Sequence, residues 1–240
     1  MTVSKTCKSL LAAFATLALG GCATPLSPQD DAAIRKVTIL TVLDESGRVD
    51  KRGLTVFAND SMTIPQDGAL SRTAVEAITQ RLHQSRPSWQ VVPSGVDLVA
   101  LGAKYKDGIA TFNDSEGKLR PELEDILKRL DTDAVFLVTE TNPSNGAAPG
   151  PGVGIALRKL PGIDPHVVVR AHVYVELLDK SGKIRTGWGG GETGLLQASD
   201  FGLTDELTSA DSPAAHAKLS DAMRAELRRD VDAAMQHIGY

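Results

Sequence analysis

Two spacings of apolar residues divide this chain. Short runs that are apolar at both parities mark strands covered on two faces, and rows at three- and four-residue steps mark helices. Residues 35–43 (RKVTILTVL) are of the first kind, with Val37, Ile39 and Leu43 on one parity and Leu40 and Val42 on the other. Residues 134–139 (AVFLVT) repeat the pattern, and 89–92 form a shorter strand stopped by Pro93. Residues 166–178 alternate instead. Val167, Val169, Ala171, Val173, Val175 and Leu177 share one parity, and His166, Arg170, His172 and Glu176 fall on the other. That predicts a strand with one face on the core and the other largely wet. Asp179-Lys180-Ser181-Gly182 is a hairpin turn signal, and 183–191 (KIRTGWGGG) is the return strand.

Helical spacing appears four times. In 71–85, Val75, Ile78 and Leu82 lie on one face, with Ser71 or Thr73 as cap and Thr73-x-x-Glu76 as a capping box. A short helix is expected over 94–105. Residues 121–130 (PELEDILKRL) place Pro121 in a first turn and align Leu123, Ile126, Leu127 and Leu130. The last helix is the best marked: Ser212-Pro213 supplies the cap and first turn, and Leu219, Met223, Leu227, Val231 and Met235 follow at four-residue steps. Two stretches read as long connections. One is 44–70, with a short strand at 54–57 (LTVF); the other is 142–165, which holds five prolines and five glycines in 24 residues. The resulting order is β-α-β-α-β-β-β-α, a single mixed-sheet α/β domain whose early strands pair in parallel through helical crossovers.

The leader changes this picture. Lys5 and Lys8 precede the uncharged run 10–19, and Gly20 and Gly21 stand directly before Cys22. A run of that length is too short to span a bilayer, which takes about 20 residues. The order of charge, apolar run and small residues is that of a secretory signal peptide, against the alternatives of an uncleaved anchor or a buried helix. Leu19-Gly20-Gly21-Cys22 resembles a bacterial lipobox. The resemblance implies cleavage between Gly21 and Cys22, a diacylglyceryl group on the Cys22 sulfur and a further acyl chain, such as palmitate, on its amine. Several acyl chains anchor stably where one binds only reversibly. Ala23 after the cysteine, in place of Asp, implies the outer membrane. The expected organisation is a signal peptide at 1–21, a lipidated tether at 22–34 and a periplasmic α/β domain at 35–240.

Composition bounds the chemistry. The chain has 240 residues, 42% of them apolar and 23% charged, which is the balance of a globular domain. Aromatics at 4% make a poor base-stacking platform, and a net charge of −4 weighs against a polyanion-binding face. Loss of the leader removes Lys5, Lys8 and Cys7. The remaining chain has 24 basic against 30 acidic residues, a net charge of −6, and Cys22 as its one cysteine. No thiol is then left for a disulfide, a redox pair or a nucleophile.

Two stretches, 121–140 (PELEDILKRLDTDAVFLVTE) and 167–190 (VVVRAHVYVELLDKSGKIRTGWGG), resemble a group of envelope lipoprotein domains. The group includes the amino-terminal domain of TolB, the activator lipoproteins of penicillin-binding proteins and the curli secretion lipoprotein. The resemblance implies a non-enzymatic domain that binds other envelope proteins or assembles into a complex. The curli lipoprotein carries membrane-spanning hairpins in its insertions, but the prolines of 142–165 interrupt any barrel strand of ~9–11 residues.

Candidate chemistry is sparse. Gly150-Pro151-Gly152-Val153-Gly154 matches neither phosphate-binding glycine motif. His166 and His172 share a strand face but stand six residues apart, ~20 Å at ~3.3 Å each, with Arg170 between them, so they form no metal site. No G-x-S-x-G or H-E-x-x-H occurs, and Asp200, Asp205 and Asp211 lack calcium-loop spacing. No catalytic residue, metal or cofactor is therefore assigned. Trp188, Arg170 and His172 are the expected partner-binding residues, and Cys22 is the lipid site. The leading expectation is a non-catalytic, membrane-anchored lipoprotein that binds another envelope component. A structural subunit of a secretion or surface-assembly complex, possible as an oligomer, and a cell-wall hydrolase using Asp/Glu residues stand as alternatives. No nucleic-acid partner is expected.

Overall fold

The alternation at 166–178 produces the strand around which the sheet is built. This computed structural model describes residues 26–52, 59–105, 121–141, 148–159, 162–189, 191–204 and 206–240. The described chain runs α1 (Pro28–Ala33), β1 (Lys36–Val42), β2 (Ser46–Arg52), β3 (Asp60–Pro65), α2 (Ala69–Ser85), β4 (Gln90–Val91), α3 (Leu98–Tyr105), α4 (Pro121–Arg129), β5 (Ala134–Glu140), β6 (Gly152–Arg158), β7 (His166–Asp179), β8 (Ile184–Gly189), β9 (Leu196–Gln197) and α5 (Pro213–His237). It is a single mixed α/β domain. Among the described residues, no helix is long and apolar enough to cross a membrane.

The strand order is β3-β2-β6-β7-β5-β1-β4, with β8 and β9 also on β7. β1 is parallel to both β4 and β5, as the crossovers require. β7 is antiparallel to all its neighbours. Its first half, from His166 to His172, pairs with β6, and its second half, from Val173 to Asp179, pairs with β5. β5 and β6 thus lie end to end along one edge of β7. β8 and β9 lie end to end along the other edge, and β1 and β2 lie beyond β5 and β6 in the same way. The sheet is two half-sheets joined at one level, and β7 passes unbroken through the junction.

Burial follows from this layout. α2 and α5 cover one face, where Leu219, Met223, Leu227 and Val231 pack with the odd-numbered valines of β7. Among the described residues, α3 and α4 cover the other face over β1, β5 and the end of β7, through Leu101, Leu123 and Leu127 against Leu40, Leu137 and Leu178.

Several expectations are met in detail. Ser212 Oγ accepts from Ala215 N at 3.1 Å, the N-cap of α5. Asp179 Oδ1 accepts from Ser181 N and Lys183 N, and Gly182 supplies the positive φ of the hairpin turn. The cap of α2 differs. Its first amides, Leu70 N and Ser71 N, donate to the Glu45 carboxylate at 3.1 and 2.8 Å, so a side chain from the β1–β2 connection replaces the expected Ser71 or Thr73 cap.

Three corrections concern what the pattern missed. The expected connection 44–70 contains β2 and β3, paired antiparallel, and 142–165 contains β6. The order β-α-β-α-β-β-β-α therefore lacked these three strands and the two-residue β9. β2 was hidden because Arg48, Asp50 and Arg52 give its second face no apolar content. β6 was hidden because its glycines look like loop residues. The third correction is the face of β7 expected to be wet: Arg170 is 0% exposed and His172 is 4% exposed. Over this half-sheet Arg170 meets the Asp50 carboxylate and His172 meets Gly150 O and Glu192 rather than bulk water. The segment 26–34, placed in the tether, includes the short helix α1, whose Asp31 pairs with Arg86. Gly21, Cys22 and the strand expected at 54–57 lie outside the described residues.

Candidate functional site

The junction level collects buried polar side chains from every line of the sheet. Arg170 Nη2 donates to Asp50 Oδ2 at 3.0 Å, and the same carboxylate accepts Arg48 Nε through Oδ1 at 2.6 Å. Register explains the meeting. Arg48, Gly154 and Arg170 lie in one row across β2, β6 and β7, and Gly154 leaves the space that the guanidinium fills. A Cβ on Gly154 would lie 2.7 Å from Arg170 Nη2 and 2.6 Å from Arg48 O. Asp50 is the carboxylate that compensates this buried cation, a requirement for any charge taken out of water.

Two residues on, His172 is held at both nitrogens. Nδ1 contacts Gly150 O at 2.8 Å and Nε2 contacts Glu192 Oε1 at 3.2 Å. Glu192 also accepts from Ala148 N at 3.0 Å, and Arg52 Nη2 donates to Pro149 O at 3.1 Å. Residues 148–151 are thus laid over the polar face of the half-sheet and fixed there by the side chains beneath them. Glu140, at the end of β5, accepts from Asp44 N at 2.8 Å. Burial pushes its carboxyl up to about 8. On α5, burial and then the neighbouring Asp230 raise Glu226 to about 7, and burial raises Asp230, which accepts from Gly191 N at 3.3 Å. Among the described residues, no group of His, Cys, Asp or Glu is placed to hold a metal ion.

Of the expected site residues, the structure brings Arg170 and His172 together, two positions apart on one face and both buried. Trp188 is paired with Val175 in the β7–β8 ladder. Asp50, Glu140 and Glu192 were not anticipated. The one available signal was the alternation Arg48-Val49-Asp50-Lys51-Arg52, in which a lone acid between two arginines shares their parity.

Exposed apolar side chains concentrate elsewhere. Tyr174 is 46%, Ile184 44% and Leu195 62% exposed, all on or beside β7, β8 and β9. Among the described residues, β8 and β9 pair with no strand other than β7, so their outer edge is open.

No protein-family model matches the chain, and no curated protein matches it. Among solved structures, it is similar to a PelC dodecamer from Paraburkholderia phytofirmans, at 11% identity and TM-score 0.32 over 88% of this chain and 92% of that one. It is also similar to lipoprotein GNA1162 from Neisseria meningitidis, at 15% identity and TM-score 0.30 over 81% and 99%. A third is the hypothetical protein CT253 from Chlamydia trachomatis, at 16% identity and TM-score 0.27 over 83% and 99%. Overlaps this loose transfer neither a partner nor an activity.

Proposed function

We propose that the protein is a non-catalytic lipoprotein, held through Cys22 at the periplasmic face of the outer membrane, whose α/β domain binds another envelope component. The observation that carries the binding role is the open β8–β9 edge with Tyr174, Ile184 and Leu195 exposed beside it. An unpaired edge offers main-chain donors and acceptors to an added strand, and apolar side chains next to it supply area to bury. The junction carboxylates support the absence of catalysis. Glu140, Asp50 and Asp230 accept hydrogen bonds or ion pairs from this chain's own groups. The anchor rests on the leader sequence.

The binding role is tested with photo-crosslinking side chains at Ile184 and Leu195, compared with Lys128 on the outer turn of α4. A discrete crosslinked partner from the first two positions and none from the third is expected. No partner from any position, together with turnover of a wall fragment by the purified protein, overturns the reading. A fatty-acid analogue is expected to label the protein but not Cys22→Ala.

The same edge favours a second reading, a structural subunit of a secretion or surface-assembly complex, since a copy of this chain can also supply the added strand. A discrete oligomer by light scattering after mild extraction is its expected sign, and a monomer counts against it.

A further inference from the structure

The polar face of the β3-β2-β6-β7 half-sheet, beyond the part that residues 148–151 overlie, carries more cation than its carboxylates balance among the described residues. Arg52, Arg158 and His166 form one row across β2, β6 and β7, each directly opposite the next. Like charges in directly opposed positions repel and destabilise a sheet. Among the described residues, the contacts in this row are with neutral groups: Arg52 Nη2 donates to Pro149 O, and His166 Nε2 lies 3.2 Å from Gln197 Nε2. Two rows in, Arg48 and the buried Arg170 share the single carboxylate of Asp50. Arg170 Nη1, wholly buried, has no protein partner among the described residues. Ser61 lies opposite Asp50 and Thr63 opposite Arg48, which adds hydroxyls to the same face.

A cavity of about 230 Å³ opens here, lined by Arg48, Asp50, Arg52, Asn59 and Ser61, with Lys51 and Asp60 facing each other across the hairpin at its side. Lys51 is already paired with Glu206, on the opposite parity. Among the described residues, the excess cation is therefore that of Arg52 and Arg158, which lie directly opposite each other.

We propose that this face is a binding site for a phosphate group, seated between Arg52 and Arg158 at the mouth of the cavity, with Arg48 and Ser61 as further donors. Paired guanidinium forks match phosphate oxygens bidentately. Free phosphate, with up to two negative charges, balances two arginines, and a diester headgroup with one charge still offers an oxygen to each guanidinium. The chain's net negative charge is no obstacle, because the site is local and its nearest acid, Asp50, is already taken up by Arg48 and Arg170. The phosphate can be free or part of a lipid headgroup, and the two sources are separable.

The test uses the full-length protein in detergent. Inorganic phosphate is titrated by calorimetry into wild type, Arg52→Ala, Arg158→Ala and, as a remote control, Lys128→Ala. In parallel, cosedimentation is measured with phosphatidylglycerol/phosphatidylcholine vesicles and with phosphatidylcholine vesicles. A free-phosphate site gives saturable phosphate binding that weakens at least tenfold in each arginine variant and is unchanged in Lys128→Ala. A headgroup site gives the same arginine dependence on the anionic vesicles alone. Because a folding defect could imitate a loss, Arg158→Glu is added. It removes the repulsion by pairing with Arg52, so it is expected to melt no lower than wild type in phosphate-free buffer while losing the phosphate or anionic-vesicle response. The proposal is overturned if wild type responds to neither probe. It is equally overturned if the response survives in the Arg52→Ala/Arg158→Ala double variant.

Discussion

Arg170 and Asp50 stand 120 residues apart in the chain and meet inside the sheet, Nη2 to Oδ2 at 3.0 Å, with the Arg170 side chain 0% exposed. Removing one member of such a pair leaves an uncompensated buried charge. Asp50→Ala is expected to lower stability by about 3–5 kcal/mol. The double replacement Asp50→Leu/Arg170→Met is expected to cost less than Asp50→Ala alone. Urea denaturation of the three proteins checks both statements, and a double variant less stable than Asp50→Ala refutes the assignment.

Gly152 has a positive φ of 55°, and a Cβ there would enter the carboxyl group of Glu140. Backbone strain at such a position costs about 1–3 kcal/mol for a residue with a side chain. The collision adds to it, because Glu140 is itself fixed by Asp44 N. Gly152→Ala is expected to unfold at clearly lower denaturant than Gly202→Ala. Gly202 also has positive φ but has open space around its Cβ position. Equal losses in the two variants would show that strain alone acts.

The carboxyl of Glu140 lies at about 8 in the folded protein because it is buried, against an ordinary 4.5. The folded state therefore holds the proton more tightly than the unfolded chain. The contribution of Glu140 to stability is complete below about 4.5 and is lost as pH rises to about 8. Glu140→Gln keeps an oxygen for Asp44 N and removes the titration. Its stability relative to wild type is expected to climb between pH 5 and 8 and then level off, as followed by melting temperature across a pH series. A difference that does not change with pH contradicts this account.

Ile184 and Leu195 are exposed at the open edge and take part in no core cluster. Ile184→Lys and Leu195→Lys are expected to change stability by less than about 0.5 kcal/mol, as surface substitutions do. They are expected to abolish partner crosslinking. A large fall in melting temperature would instead place these residues in packing.

Apolar content decided what was legible in the sequence. α5 was readable end to end, since Ser212-Pro213 marks its start and Leu219 to Met235 mark its buried row. β1, β5 and the core parity of β7 were readable for the same reason. β2 and β6 were not, because their second face is built from arginines and glycines that serve one another. Gly154 is a glycine so that Arg170 can lie across it, and that dependence is visible only once β2, β6 and β7 are side by side. The reading of Arg170 and His172 as solvent-facing failed likewise: polarity along one strand does not reveal a carboxylate brought from another. The anchor proposed at Cys22, by contrast, rests on local sequence alone.

β7 belongs to both half-sheets without interruption, 14 residues long and paired along both edges. Neither half can detach and leave the other with a complete set of main-chain bonds, since each would strip the shared strand of partners. Opening is thereby expected to be cooperative across the junction, with the two half-sheets in one unit. The amides at the centre of β7 are therefore expected to exchange with solvent only when the whole domain opens.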